Sequence, residues 1–447
     1  MCLAPLLLVG MLGLGPEPEP EAAALVARLG SARWADREAA AVALERLGRA
    51  ALPALRAARQ AKDPEVQTRA AALLERIESG LMVKPTLVRL DYRDRPLTEV
   101  IRDLSEQSGM ALVLDADSSP RLAARRLTLE EAEPLPFWEA LDRLCQAGGL
   151  RHDLGTHELP GGRGMVLGVG LTEAPALPLQ QGPTCDRGPF RIKLVRVRYE
   201  RDRLLDLGPG DPADAASAEQ FQVQMMILAE PRLMIGQYGH LRLTEAVDDR
   251  GNSLLPALPP LLGAQGDEDT PLIEFSPGAT LQMPILLRYP KEPGQTIRRL
   301  CGTVPVAVAS RKADPLVIPL LGAAGKTFRQ GDLALTIHAV RAEANEPQVT
   351  VELSVRTGTD DGERASRPLH SIPLVPEFLE QQIEVVDAHN RPYVTFPQET
   401  AIQAGALRIT LMLAPGDGAT APAQLRYYGL TRAMTEVAFE FADIPMP

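Results

Sequence analysis

The six histidines, His152, His157, His240, His338, His370 and His389, are the first places to look for acid–base or metal chemistry. None of them falls at the i, i+4 helical spacing that sets two imidazoles on one face around a zinc ion, and a third ligand is not identifiable. His152 and His157-Glu158 fall near the tip of an expected hairpin, where a solvated polar role is the default. Gly325-Lys326-Thr327 ends like a phosphate-binding loop. Leu320, however, stands where that loop needs its first glycine, and a strand is expected next where the loop needs a helix, so the segment predicts a turn. Gly162-Arg163-Gly164 with Gly168 has the wrong spacing for a dinucleotide fingerprint and predicts a hairpin turn. Asp115-Ala116-Asp117-Ser118-Ser119 opens like a calcium loop. Pro120 then replaces the turn glycine, and Arg126 stands where a bidentate Glu is needed. Asp248-Asp249-Arg250-Gly251-Asn252 and Asp360-Asp361-Gly362 fit turns equally well. Neither a Gly-x-Ser-x-Gly elbow nor a His-Glu-x-x-His helix occurs. The expectation is a non-enzymatic protein with no cofactor and no metal. A dispersed site remains open in principle. The enzyme alternative, a hydrolase or carbohydrate-active enzyme, needs paired carboxylates, for which no candidate pair stands out.

The bulk composition narrows the classes further. The chain has 447 residues, room for about three domains. Hydrophobic residues make up 45% and aromatics 4%, so cores must be built mainly from Leu, Val, Ile and Ala. A net charge of −11 argues against a nucleic-acid partner, because phosphate contact needs a basic patch. The apolar run from Leu3 to Leu14 has the length of a signal-peptide core and stops at Pro16-Glu17-Pro18-Glu19-Pro20. It lacks a basic leader, so either the true start lies upstream or the run is not a signal; export is the expectation. No later run of about 18 apolar residues occurs, and no membrane span is expected in the mature chain. Of the four cysteines, Cys2 has no lipidation motif before it and Cys145 lies on the apolar face of an expected helix. Cys185 and Cys301 could pair or stay free.

The elements that would position any site begin with four expected helices, at 21–29, 36–47, 50–60 and 64–78. The last is the clearest: Asp63 suits an N-cap, Pro64 suits the first helical position, and Val66, Ala70, Leu73, Leu74 and Ile77 share one face. The wording Asp36-Arg37-Glu38-Ala39-Ala40, Ala51-Leu52-Pro53-Ala54-Leu55 and Asp63-Pro64-Glu65-Val66 resembles HEAT repeats. That resemblance implies either a protein-binding array or a short spacer. Two helix pairs are few for a solenoid, which suggests that the last pair docks on the next domain of the chain.

Residues 86–170 alternate short apolar strands with two amphipathic helices in a βαββαβ order. Leu97, Val100, Ile101 and Leu104 stripe the first helix before Gly109; Trp138, Leu141, Leu144 and Cys145 stripe the second before Gly148-Gly149. Each helix opens behind a proline, Pro96 and Pro136. The segment resembles the short N-terminal domain shared by bacterial secretins and TonB-dependent receptors (STN-like). The resemblance implies a place in the cell envelope and action by protein contact, with a role as accessory or subunit of a secretin-type or TonB-linked assembly as an alternative. No barrel-length strand series comes after it here. Strand addition at a sheet edge is the expected binding mode, and the expected edge strand is Met165, Val166, Leu167 and Val169.

From residue 188 onward, strands and turns alternate and the two halves repeat each other. Residues 191–198 correspond to 332–341, 221–228 to 348–355, 241–254 to 382–393, 279–287 to 406–413, and 300–308 to 425–439. Each half offers about six or seven strands, the number of an Ig-like sandwich. The expected fold class is multidomain α+β: a signal peptide and linker (1–20), a HEAT-like α-helical array (21–80), a small βαββαβ domain (86–170) and two tandem antiparallel β-sandwich domains (188–310 and 326–447). The expected setting is the periplasm or cell envelope, with envelope proteins as partners.

Overall fold

The computed structural model describes residues 20–114, 122, 124–158, 165–174, 182–203, 217–256, 273–330, 333–342, 349–357, 382–403, 406–416 and 418–447. It is mostly β, with few helices and several sheets, and divides into two compact units, Met1–Lys84 and Pro85–Pro447.

The first unit contains α1 (Pro20–Arg28), α2 (Trp34–Leu47), α3 (Leu52–Ala58) and α4 (Pro64–Met82). Asp63 caps α4 by accepting the Glu65 N–H at 2.9 Å, ahead of Pro64. This satisfies one of the helix's otherwise unpaired donors. Leu25, Leu29, Leu44, Leu55, Leu73 and Ile77 form the core, with buried alanines at 22, 40, 51, 54 and 70 letting the helices approach closely.

The second unit opens with β1 (Leu87–Val88), β2 (Asp91–Pro96), α5 (Leu97–Ser108), β3 (Ala111–Leu114), β4 (Arg126–Glu130), β5 (Leu135–Pro136), α6 (Phe137–Gly148), β6 (Leu150–Glu158) and β7 (Met165–Glu173). Both helices end where glycine supplies a left-handed residue, Gly109 at φ 68° and Gly149 at φ 60°. The strands form a three-stranded sheet, β3-β7-β6, and two short pairs, β2-β4 and β1-β5. The expected helix stripes both enter a single core that includes Trp138.

Two β modules complete the unit. The first holds β8 (Thr184–Arg187), β9 (Phe190–Arg203), β10 (Ser217–Ala229), β11 (Met234–Tyr238), β12 (Arg242–Asp248), β13 (Ile273–Gly278), β14 (Thr280–Leu287) and β15 (Thr296–Arg311). The second holds β16 (Leu316–Pro319), β17 (Lys326–Gln330), β18 (Leu333–Ala342), β19 (Val349–Thr357), β20 (Ile383–Asp387), β21 (Pro392–Gln403), β22 (Ala406–Pro415) and β23 (Pro422–Tyr427), and β24 (Leu430–Pro445) ends the chain. The sheet order β14-β10-β9-β8 in the first module recurs as β22-β19-β18-β17 in the second. Each copy carries a bulge at the same place, Val195 in β9 and His338 in β18. The turn carboxylates also match. Asp248 accepts the N–H groups of Arg250, Asn252 and Gly294, and Asp387 accepts those of His389, Arg391 and Thr420. Both are buried, and the hydrogen bonds outweigh desolvation to hold each carboxyl below its usual range.

The modules exchange their last strands. β15 pairs along its whole length with β24, burying Val437, Phe439, Phe441 and Ile444, while β16 crosses to pair with β23 and buries Ile318 in the second module's core. The Lys312 N–H donates to the Gly429 carbonyl where the two paired strands pass from one module to the other. The expected limits 188–310 and 326–447 are therefore corrected: residues 430–445 complete the first module and 316–319 belong to the second. Each unpaired edge of β15 and β23 needs a partner, and the short connections after Arg311 and Tyr427 run straight on into the neighbouring module.

Candidate functional site

Strand β7, which carries the expected edge residues Met165, Val166, Leu167 and Val169, is the middle strand of its sheet. Gly168–Leu171 pair in parallel with Ala111–Leu114 of β3, while all of β7 pairs antiparallel with β6. Val169 is fully buried. The edge expectation is thereby corrected at Val169, which β3 covers, while Met165–Leu167 pair with β6 and lie beyond the stretch that β3 reaches. A hairpin that closes a domain in sequence need not close its sheet, and the parallel β3 takes the far side. A signal was present: a Cβ on Gly168 would run into the Ala111 carbonyl, so this position must be glycine for β3 to come close. Among the described residues, the free edge beside the hairpin belongs to β6. There Leu154 packs on the core, and His157 lies across Gly170 with Nε2 3.7 Å from Asp153 Oδ2.

Two charge clusters, each built around one buried residue, hold this small domain to the first β module. Arg191, at the start of β9, is 2% exposed and grips two carboxylates, each through two nitrogen–oxygen contacts. It reaches Asp142 of α6 at 2.7 and 2.6 Å and Asp186 of β8 at 2.8 and 2.7 Å. Its guanidinium also donates to the Trp138 carbonyl and lies 5.1 Å from the Trp138 ring centroid. The Trp138 indole N–H donates to the Pro189 carbonyl at 3.1 Å. Burial pushes the Asp142 carboxyl up, but hydrogen bonds from His152 and Arg191 and the guanidinium charge outweigh it and hold the group at about 2. The second cluster centres on Glu230, which is fully buried. It accepts the Thr86 N–H at 2.9 Å, the Thr86 hydroxyl at 2.6 Å and Arg232 Nε at 2.7 Å. Between the clusters, Leu228 and Met226 of β10 pack into the small domain's own core. Sequence reasoning missed these residues because their partners lie 49 and 144 positions away.

The motifs weighed for chemistry take up structural places. Gly325 sits at φ 76° in the turn entering β17. Residues 115–119 and 162–164 lie outside the described residues. Cys145, Cys185 and Cys301 are free thiols, so the pairing of Cys185 with Cys301 is absent from this structure. Cys301 lies opposite Glu440 of β24 in the sheet, and the Glu440 backbone hydrogen-bonds Cys185. Burial pushes the Cys145 thiol up to about 12, with the Asp142 charge adding to it, which removes it as a thiolate nucleophile. Among the described residues no group of three His, Cys, Asp or Glu side chains is placed to hold a metal ion.

The outer face of the first module holds a depression of about 430 Å³ lined by Val195, Arg196, Arg198, Gln222, Gln224 and Gln282. The bulge at Val195 turns both Val195 and Arg196 to solvent, whereas regular alternation would alternate them between faces.

No protein-family model matches the chain, and no curated protein matches it. Among solved structures, the crystal structure of a conserved domain protein from Bacillus anthracis aligns with 59% of this chain and 90% of its own, at 7% identity and a TM-score of 0.14, a likeness too slight to carry any inference.

Proposed function

We propose that the chain is a non-enzymatic protein of the bacterial cell envelope, exported by its N-terminal apolar segment, that acts by holding other proteins. In this reading the helical array is HEAT-like, the small domain is STN-like and the two β modules are a duplicated sandwich scaffold. The observation that carries it is the seating of the small domain. Arg191, Asp142, Asp186 and Glu230 are all engaged in fixing it to the first module, and the β6 edge is left on a rigid support. A fixed edge binds an incoming strand through main-chain hydrogen bonds with little ordering cost.

Crosslinking and co-purification from native envelopes tests location and partner together. Recovery of the chain with envelope proteins supports the proposal; recovery from the cytosol alone overturns it. Asp153→Pro and Leu154→Pro sharpen the test, because alternate N–H groups point to opposite edges of β6. One of the two substitutions removes an outward-facing donor and should abolish capture with the fold intact. Capture unchanged in both would sink the strand-addition mode.

A further inference from the structure

We infer that the depression on the outer face of the first β module is a docking site for an acidic, extended segment of a partner protein. It is a site separate from the β6 edge, and it rests on the proposed contact function in that its ligand is a protein.

The second module, whose strands have the same order and the same bulge, can be matched to the first residue by residue. The positions of Arg196, Arg198, Gln224 and Gln282 are taken there by Ala339, Arg341, Glu352 and Arg408. In the second module Glu352 bridges both arginines, at 2.9 Å to Arg341 and 3.3 Å to Arg408, with its side chain only 17% exposed. On that face one carboxylate engages both arginines. In the first module the bridging carboxylate is replaced by the amide of Gln224. Arg198 finds Glu200 beside it on the same strand, while Arg196 has no ion pair or hydrogen bond among the described residues. A chain with net charge −11 thus keeps a concave face whose six lining residues include two arginines and no acid.

The chemistry of the lining selects the ligand. Arg196 supplies a planar fork for a carboxylate. Gln222, Gln224 and Gln282 each offer both a donor and an acceptor, which matches the alternating N–H and C=O of an extended peptide. Val195 makes the apolar wall. Among the described residues no aromatic ring lines the depression; Tyr199 and Tyr289 stack on each other at 4.0 Å beside buried Phe221, on the other face of the sheet. A sugar platform is therefore missing, and a peptide is favoured over an acidic polysaccharide.

The test is fluorescence anisotropy with the full chain at low salt. The probe is a labelled ten-residue peptide of alternating Glu and Val, set against its Gln-for-Glu counterpart and an oligogalacturonate. The acidic peptide should bind at least tenfold tighter than either. Arg196→Ala and Gln224→Glu should each weaken it about tenfold or more, the second by installing the carboxylate of the other module. Both positions are solvent-facing, and unchanged thermal unfolding verifies the fold. Absence of acidic-peptide binding, binding indifferent to both substitutions, or tighter binding of the oligogalacturonate each overturns the inference. If envelope partners still co-purify with the Arg196→Ala chain, the contact function survives without this site. If the peptide binds at this face and no envelope partner is found, the site stands and the function falls.

Discussion

The two β modules share a strand order, a bulge and a buried turn carboxylate, yet differ at nearly every outward position that matters. Arg191, which grips the small domain, corresponds to Ala334 in the second module. Met226 and Leu228, packed into the small domain's core, correspond to Ser354 and Arg356. Gln224 corresponds to Glu352. Inward positions stay apolar in both copies: Ile192, Leu194, Val223 and Met225 against Leu335, Ile337, Val351 and Leu353. Both cores keep apolar residues at these positions, because a buried polar group without a partner costs on the order of a few kcal/mol. The outer faces carry different residues: the first module's holds the small domain through Arg191, and the second module's ties two arginines to Glu352.

The exchange of strands offers the largest test of that pairing. Phe439→Ala and Phe441→Ala, at the far end of the chain, should each cost about 3–5 kcal/mol. Hydrogen exchange should then show protection lost in β8, β9 and β15 of the first module. Loss confined to β22 and β23 would contradict the exchange.

Asp248→Ala and Asp387→Ala should lower the melting temperature by similar amounts, on the order of 5 °C each, since each strands a matched set of backbone donors. A clearly unequal pair of shifts, measured calorimetrically, would break the equivalence of the two turns.

Acid should separate the modules more gently. The folded Asp142 carboxyl lies at about 2, below the ordinary value of about 3.9. Its stabilising contribution is therefore fully present above about pH 4 and is lost as pH falls through about 2. Trp138 fluorescence, followed in a Trp34→Phe background, should report loosening of the small domain in that window. Asp142→Asn should flatten the response, and an unaltered profile would show that the grip of Arg191 is not what titrates.

The smallest effect is expected at Glu352. Glu352→Gln should change stability by less than about 1 kcal/mol, while giving the second module a face like the first. A weak second binding site for the acidic peptide should then be measurable as increased stoichiometry.

Much of this was legible in the chain. The cap at Asp63 and Pro64, the helix stops at Gly109 and Gly149, and the repeat of the two halves all come from local chemistry. Some strand correspondences hold closely, Phe221 matching Val349 one position from the expected alignment, whereas Arg191 matches Ala334, two positions off, and residues 430–439 belong to β24 of the first module and not to a counterpart of 300–308. The misplacement of β7 came from treating the last hairpin as the sheet's margin. The candidate depression was not visible, since its residues come from three strands and only the bulge at Val195 turns Arg196 outward.

Helix spans, turn carboxylates and the inward face of each strand were set by sequence alone, because each depends on residues within a turn or a few positions of one another. Sheet order, the traded strands β16 and β24, and the seats built on Arg191 and Glu230 were decided only by tertiary structure. Strands with the same apolar alternation can pair in many orders at nearly equal local cost. The choice among them rests on which distant partners bury the shared surface and satisfy the buried charges together.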